Sequence, residues 1–303
     1  MSDSHTLAPV SQSFIKAHGT ENDFVVLLDP QARFELTDDV VRALADRRAG
    51  IGGDGVIRVA TAKTLIEQGV LRALPADCRE DEWFMDYRNA DGSIAEMCGN
   101  GVRVFAHVLV AEGSVELDDA CTFGIGTRAG RKEVTVHEST ERHAVVSVQM
   151  GEPEVMGLST VQVSGERFAG LAVDMGNPHL AAVVPQLTAE ALEELPIDQL
   201  VTWDSDFFPQ GVNLEVVTPL DSHGAVHMRV HERGVGETRS CGTGTVAAAV
   251  AALADSGAVT GTVLVNVPGG QVEVTVGEGT SVLKGPSEIV ARGTLVGLSL
   301  IHI

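Results

Sequence analysis

Two cysteines, Cys98 and Cys241, sit in settings that look like copies of one device. The first closes Asn89-Ala-Asp-Gly-Ser-Ile-Ala-Glu-Met-Cys98 and runs into Gly99-Asn100-Gly101. The second closes Glu232-Arg-Gly-Val-Gly-Glu-Thr-Arg-Ser-Cys241 and runs into Gly242-Thr243-Gly244. Each thiol is followed by Gly-x-Gly and a long apolar run, the signature of a helix start. Free backbone N–H groups and the positive end of the helix dipole favour a thiolate there. A free thiol titrates at about 8.5, and a helix start can draw it toward neutrality. Such a thiolate can serve as nucleophile, redox centre, metal ligand or general base. A cysteine peptidase needs one thiol and a histidine. A zinc site usually needs four ligands, and no spacing here supplies them. A redox dithiol usually has its pair close in sequence. Two mirrored thiols fit a two-base proton transfer, in which one takes a proton from a tetrahedral carbon and the other delivers one to the opposite face. The N–H groups of Gly99, Asn100, Gly242 and Thr243 could hold a carboxylate between them. Cys78 and Cys121 lack this context and read as ordinary small residues, with surface exposure a second reading for Cys78.

The elements that must position these thiols are partly visible. Helices are expected over Val102–Glu112 and Val246–Ser256, each stopped by a glycine, Gly113 and Gly257, at the left-handed position. The run from Val246 to Ala254 is apolar on every face, so that helix should be buried all round. Short β-branched runs predict strands at Phe24–Leu28, Ala144–Val148, Val212–Val217, Val263–Val267 and Val272–Val276, the last alternating with period two. Two amphipathic helices are expected, Asp38–Arg47 with Thr37 as N-cap and Thr188–Leu195. Ala17-His-Gly-Thr-Glu-Asn22 and Val173-Asp-Met-Gly-Asn177-Pro-His179 each precede a cysteine, which suggests an internal duplication with a boundary near Gly151. The charged stretch Thr61–Glu82 reads as an exposed insertion.

Composition narrows the class. The chain has 303 residues, 44% of them hydrophobic, enough for one large or two smaller cores. A net charge of -21 argues against nucleic acid and anionic membranes as partners. The four cysteines show no CxxC spacing, Met1 to Gln12 lacks an apolar signal core, and no apolar run is long enough to span a bilayer. A reduced cytoplasmic protein is expected. Gly52-Gly-Asp-Gly55 lacks the Gly-Lys-Ser/Thr ending of a phosphate loop, and Asp23, Asp54 and Asp91 read as turn formers.

The motifs together resemble a family. Lys16-Ala-His-Gly-Thr-Glu-Asn-Asp-Phe24, Gly50-Ile-Gly-Gly-Asp-Gly55, Asn89-Ala-Asp-Gly with Cys98-Gly-Asn-Gly, Met175-Gly-Asn-Pro-His179, Gly211-Val-Asn213, His231-Glu-Arg-Gly-Val-Gly-Glu-Thr238 with Cys241-Gly-Thr-Gly, and Val267-Pro-Gly-Gly follow one another from near residue 14 toward the C-terminus. In that order they are similar to diaminopimelate epimerase, a cofactor-independent isomerase of lysine and peptidoglycan-precursor biosynthesis that interconverts LL- and meso-diaminopimelate. The resemblance implies that Cys98 and Cys241 are the acid/base pair, with Cys241 accepting the proton of the LL isomer and Cys98 donating. It implies that His179 and Glu232 tune the thiols. Asn22, Asn89, Asn177, Asn213, Glu232 and Arg233 match positions that hold the substrate, a small molecule with an amino-acid head at each end. No cofactor and no metal are implied, and a homodimer is expected because family members often pair. The implied fold is α+β, with two pseudo-symmetric domains, each a mostly antiparallel sheet wrapped around a central helix. The domains would be 1–149 plus 286–303, and 150–285, with a final strand from about Pro286 returning to the first. Two departures stand out: Gly55 where many members carry Gln, and Glu21 in place of a small residue. The alternatives are a proline racemase-like enzyme with the same thiol pair, or a redox sensor in which the thiols close a disulfide.

Overall fold

The computed structural model describes residues 12–116, 121–199 and 201–296. The signal-segment reading, apart from Gln12, and the tail of the expected first domain beyond 296 lie outside the described residues. The first half holds β1 (Gln12–Gly19), β2 (Asn22–Leu28), α1 (Asp38–Ala45), β3 (Gly55–Thr61), α2 (Ala62–Glu67), β4 (Trp83–Asn89), α3 (Gly99–Ala111), β5 (Cys121–Thr127), β6 (Gly130–Ser139) and β7 (His143–Gln149). The second holds β8 (Glu154–Val163), β9 (Glu166–Asp174), β10 (Pro178–Val183), α4 (Ala189–Glu193), β11 (Val201–Trp203), β12 (Asn213–Val217), β13 (Ala225–Glu232), β14 (Gly236–Thr238), α5 (Gly242–Asp255), β15 (Gly261–Val267), β16 (Gly270–Gly277) and β17 (Thr280–Leu295).

The same order of pairings occurs in both halves. In the first, β1 and β2 form a hairpin, β2 runs parallel to β3, and β3 pairs antiparallel with β4. The chain then passes through α3, β4 runs parallel to β5, and β5, β6 and β7 form a meander. In the second, β9 and β10 form a hairpin, β10 runs parallel to β12, and β12 pairs antiparallel with β13. The chain passes through α5, β13 runs parallel to β15, and β15, β16 and β17 form a meander. The duplication inferred from two short motifs thus extends to the hydrogen-bonding pattern.

Each cysteine-led helix is held by its half's strands. Helix α3 packs on β1, β6, β7 and β17, and α5 on β10, β12, β15 and β16. From Gly99 to Leu109 every residue of α3 is buried. In α5 the buried residues include the whole run from Thr245 to Leu253. Phe105, Val104 and Val108 of α3 share one continuous apolar cluster with Val246, Ala249 and Leu253 of α5 and with strand residues such as Val146, Val148, Val265 and Val274. Burial of side chains this large is the main stabilising contribution to the fold. Both helices end as expected, at Gly113 (φ 69) and Gly257 (φ 81).

The structure corrects several boundaries. Helices α3 and α5 begin a turn earlier than the apolar periodicity suggests, because Cys98 and Cys241 are themselves the N-caps. The β-branched runs fall within β2, β7, β12, β15 and β16, except that Val212 lies just outside β12. Helices α1 and α4 are shorter than expected, though Thr37 and Thr188 cap them by accepting from Val40 and Ala191. Thr61–Glu82 is exposed along much of its length, as expected, but it is anchored. It contains α2, and Leu65, Leu71 and Cys78 pack with Phe84 into a small core. Strand β17 does not start near Pro286. It runs unbroken from Thr280, pairing with β16 at Thr280–Lys284, with β7 at Val282–Glu288 and with β1 at Glu288–Leu295. One strand therefore stitches the two halves. Among the described residues no helix is long and apolar enough to cross a membrane. Phe105→Ala should destabilise the protein by about 3–5 kcal/mol, read as a lowered midpoint in urea denaturation. An unchanged midpoint would contradict the placement of α3 in the core.

Candidate active site

The starts of α3 and α5 meet. A Cβ on Gly242 would lie 3.1 Å from the Cα of Gly99, so only glycine permits this approach. A cavity of about 730 Å³ opens above the junction, and both Cys98 and Cys241 line it. The Cys98 thiol is 3.5 Å from Asn22 Oδ1, and its sulfur accepts from the Gly101 N–H at 3.4 Å. The Cys241 sulfur lies 3.5 Å from the Thr243 hydroxyl. Gly99, Asn100, Gly242 and Thr243 also line the cavity.

Neutral groups lock the two sides together. Asn100 donates through Nδ2 to Asn22 Oδ1 at 3.3 Å, and to the Ser240 carbonyl and hydroxyl at 3.2 Å each. Ser240 Oγ lies 2.7 Å from Thr20 Oγ1. Thr20 (φ 50) and Glu21 (φ 60) form the left-handed turn between β1 and β2, and Glu21 pairs with Arg239 across the cleft. Asp23 and Asp54 do more than form a turn. Asn22 donates to Asp54 at 2.8 Å, while Lys16 and Arg47 bind Asp23. Against burial, which acts upward, hydrogen bonds from Arg47 and Lys16 hold the Asp23 carboxyl well below its usual range. Asp91 is the turn former expected, accepting from the Ser93 N–H at 2.8 Å.

The remaining candidates separate into a wall and a backing layer. Asn22, Asn89, Asn177, Glu232 and Arg233 line the cavity. Among the described residues no carboxylate pairs with Arg233; its Nη1 donates to the Gln210 carbonyl at 3.1 Å. Glu232 accepts from the Thr238 hydroxyl and lies against Cys241. His179 and Asn213 sit behind this wall, where Asn213 is also tied to the backbone. Its amide donates to the Pro178 carbonyl at 3.0 Å and accepts from the Arg233 N–H at 2.9 Å, so it fixes the backbone of Arg233. His179 is fully buried and pairs through Nδ1 with Glu215 at 2.7 Å, leaving Nε2 without a partner. Glu215 is a site residue that sequence reasoning missed. It lies under the first turn of α5, with Oε1 2.4 Å from where a Cβ on Gly244 would be. Its signal was the carboxylate inside the apolar run Val212–Val217. Tyr87 was also missed. Its ring packs edge-on to Phe24 and lies 2.5 Å from where a Cβ on Gly55 would stand. Tyr87 therefore occupies the space that a side chain at position 55 would take.

The model of the diaminopimelate epimerase family matches residues 14–156 and 171–290. The chain belongs to this family. A diaminopimelate epimerase of Corynebacterium aurimucosum is 59% identical over 280 residues, covering 92% of this chain and 98% of that protein. The diaminopimelate epimerase of Mycobacterium tuberculosis is 57% identical over 283 residues, covering 93% and 96%. Among solved structures, a hydroxyproline epimerase from Agrobacterium vitis aligns with a TM-score of 0.65 at 15% identity, covering 95% of this chain and 93% of its own. A PhzF-family phenazine biosynthesis protein of Bacillus anthracis aligns at 0.64 with 13% identity, covering 95% and 99%. At such identities these two establish the shared fold alone.

In this diaminopimelate epimerase family member the thiols are not acidic. Burial pushes Cys98 up to about 11, with the Glu232 charge adding and the Gly101 N–H opposing. Burial pushes Cys241 well above its ordinary value, and Glu232 and Glu215 add to it. Desolvation is the dominant influence on both thiols and opposes the pull of the helix starts. Burial likewise raises Glu232, opposed by the Thr238 hydroxyl. Alkylation needs the thiolate, so iodoacetamide labelling of ligand-free protein should be slow at pH 7 and rise with pH. Cys98 should label before Cys241, as read by peptide mass spectrometry. Rapid labelling of both at pH 7 would contradict this electrostatic picture. Glu232→Gln removes the charge that opposes Cys241 ionisation and should speed Cys241 labelling at a fixed pH.

Proposed function

We propose that Cys98 and Cys241 interconvert LL- and meso-diaminopimelate by a two-base transfer. One thiolate removes the α-proton of the reacting head and the opposite thiol protonates the other face. The observation that carries this reading is the meeting of two cysteine-capped helix starts over one cavity. The reacting carboxylate would sit against Gly99, Asn100, Gly242 and Thr243, where both helix ends stabilise charge developing on it. That charge appears only as the proton leaves, so the helix ends act on the transition state more than on bound substrate. Entry of the substrate's ammonium and carboxylate would change the field around thiols that are protonated at rest. Cys241 serves as base toward the LL isomer and Cys98 as its acid, the roles exchanging in reverse.

Arg233 would fork the distal carboxylate, with its backbone held by Asn213. Asn22, Asn89 and Asn177 supply neutral amides that can donate or accept, and Glu232 accepts from an ammonium. His179 acts from behind, through the Glu215 pair. In the same reading the chain forms two pseudo-symmetric domains, 1–149 with the strand beyond 286, and 150–285. Each wraps its sheet around α3 or α5, and closure over substrate would exclude water. The helix packing and the repeated pairing order support that division. No cofactor enters the scheme, and a homodimer in a reducing cytoplasm completes it.

Cys98→Ala and Cys241→Ala should each lower epimerisation of LL-diaminopimelate by about a thousandfold or more, the scale of losing an essential acid or base. Full activity in either variant would sink the scheme. Turnover of L-proline in place of diaminopimelate would favour the racemase-like alternative.

A further inference from the structure

Tyr87 is the single tyrosine of the chain, and it stands where core becomes cavity. Met85, Tyr87 and Asn89 alternate along β4, so they share one face of it. Met85 is buried in the apolar core, whereas Tyr87 and Asn89 line the cavity. The Tyr87 backbone is fixed by pairing with Ile57 on β3 and by the Ala95 N–H, which donates to its carbonyl at 3.2 Å. Its ring is fixed by Phe24, edge-on at a centroid distance of 5.7 Å. Gly55 admits the ring: a Cβ there would lie 2.5 Å from Tyr87 Cε2 and 2.6 Å from the Arg88 carbonyl oxygen. A ring packed on the core with its polar tip in a wet cavity is a common use of tyrosine. Among the described residues nothing hydrogen-bonds the Tyr87 hydroxyl, and it is not one of the sealed, orphaned polar atoms either. It therefore opens on the cavity that its side chain lines.

That hydroxyl answers a shortage of donors. Asp54, Asp91, Glu96 and Glu232 all line the cavity, and among the described lining residues Arg233, from the second half, is the one cation. On the first-half side the amides are already engaged. Asn22 donates to Asp54 at 2.8 Å, Asn89 to Ser93 Oγ at 3.0 Å, and Asn100 to Asn22 and Ser240. A carboxylate entering between the walls meets mostly acceptors on this side unless a donor is offered. Resting on the reading of the cavity as the diaminopimelate site, we propose that Tyr87 is a substrate-binding residue whose hydroxyl donates to the distal carboxylate from the first-half wall, while Arg233 forks it from the second. In that reading the reacting carboxylate has the N–H groups of both helix starts, so the distal carboxylate is the one that needs the phenol. The phenol stays a donor, because burial pushes its pKa well above the ordinary value and the Cys98 and Glu232 charges add to it. A neutral donor also suits a substrate that carries an ammonium beside each carboxylate, which a second fixed cation would repel.

A lone tyrosine makes the contact directly observable. Protein grown on tyrosine labelled with carbon-13 at Cζ gives one ring-carbon signal, that of Tyr87. On addition of LL-diaminopimelate the signal should move toward the tyrosinate position, because a phenol that donates to an anion is polarised that way. A signal that stays in place, or moves the other way as it would on accepting from an ammonium, would overturn the proposal. Turnover in the same tube checks the epimerase reading separately. An unmoved signal with turnover intact sinks the Tyr87 contact alone, whereas absence of turnover sinks both. Tyr87→Phe keeps the ring against Phe24 and over Gly55 and removes only the oxygen. Its KM for diaminopimelate should rise roughly tenfold with kcat within about twofold, since a distal contact is common to ground and transition states. An unchanged KM, or a loss confined to kcat, would also overturn it. The thermal midpoint of this variant should hold, which separates loss of the contact from loss of the fold. The labelled unmodified protein stands by itself where the variant does not fold.

Discussion

Two helix starts, each ending in a thiol, are pressed together at Gly99 and Gly242. Each start carries roughly half a positive charge, so bringing them together is unfavourable unless the surrounding structure enforces it or an anion is shared between them. The strands on α3 and α5 supply the enforcement, since both helices are buried and share one apolar core. The third element of the constraint is β17, which hydrogen-bonds to strands of both halves along one continuous run. Polar ties close the arrangement above the core. Asn100 and Ser240 bridge the segments on either side, and Glu21 with Arg239 spans the cleft at the surface.

The same burial that fixes the geometry sets the chemistry. Desolvation raises both thiols, so ligand-free protein holds them in the neutral form at ordinary pH. Neutral thiols resist the oxidation and alkylation to which thiolates are exposed. This weakens the redox-sensor reading, which needs reactive thiolates at rest. In the proposed mechanism a diaminopimelate head would bring its own ammonium and carboxylate into the cavity, so that the base is generated in the company of its substrate.

Much of the site was legible because its essential chemistry is local. A cysteine N-cap followed by Gly-x-Gly is encoded within a few residues, as is the loop that presents Asn22 or Asn177. The apolar run after Cys241 announced a buried helix, and the glycines at 113 and 257 announced its end and that of its counterpart. What stayed hidden depends on distant parts of the chain. Thr20 meets Ser240 across 220 positions and Asn100 meets Ser240 across 140. Glu215 reads as a single polar residue within an apolar stretch until its pairing with His179 is seen. Thr61–Glu82 was legible in part, because its charges are plain in sequence, whereas the few contacts of Leu65, Leu71 and Cys78 that anchor it are not. The tie from Asn213 to the backbone of Arg233, 20 positions away, was equally hidden. The thiols' shift was not legible, because a dipole is inferable from sequence and burial depth is not.

The claim on which everything else rests is that two different groups remove and return the α-proton. Initial-rate conversion of LL-diaminopimelate in deuterium oxide, with deuterium followed separately in product and in recovered substrate, tests it directly. Two thiols on opposite faces require deuterium at the inverted carbon of the meso product, with recovered LL substrate still unlabelled at early times. Deuterium entering the LL substrate ahead of product would mean that one group both takes and returns the proton, and would contradict the assignment of Cys98 and Cys241 as a pair.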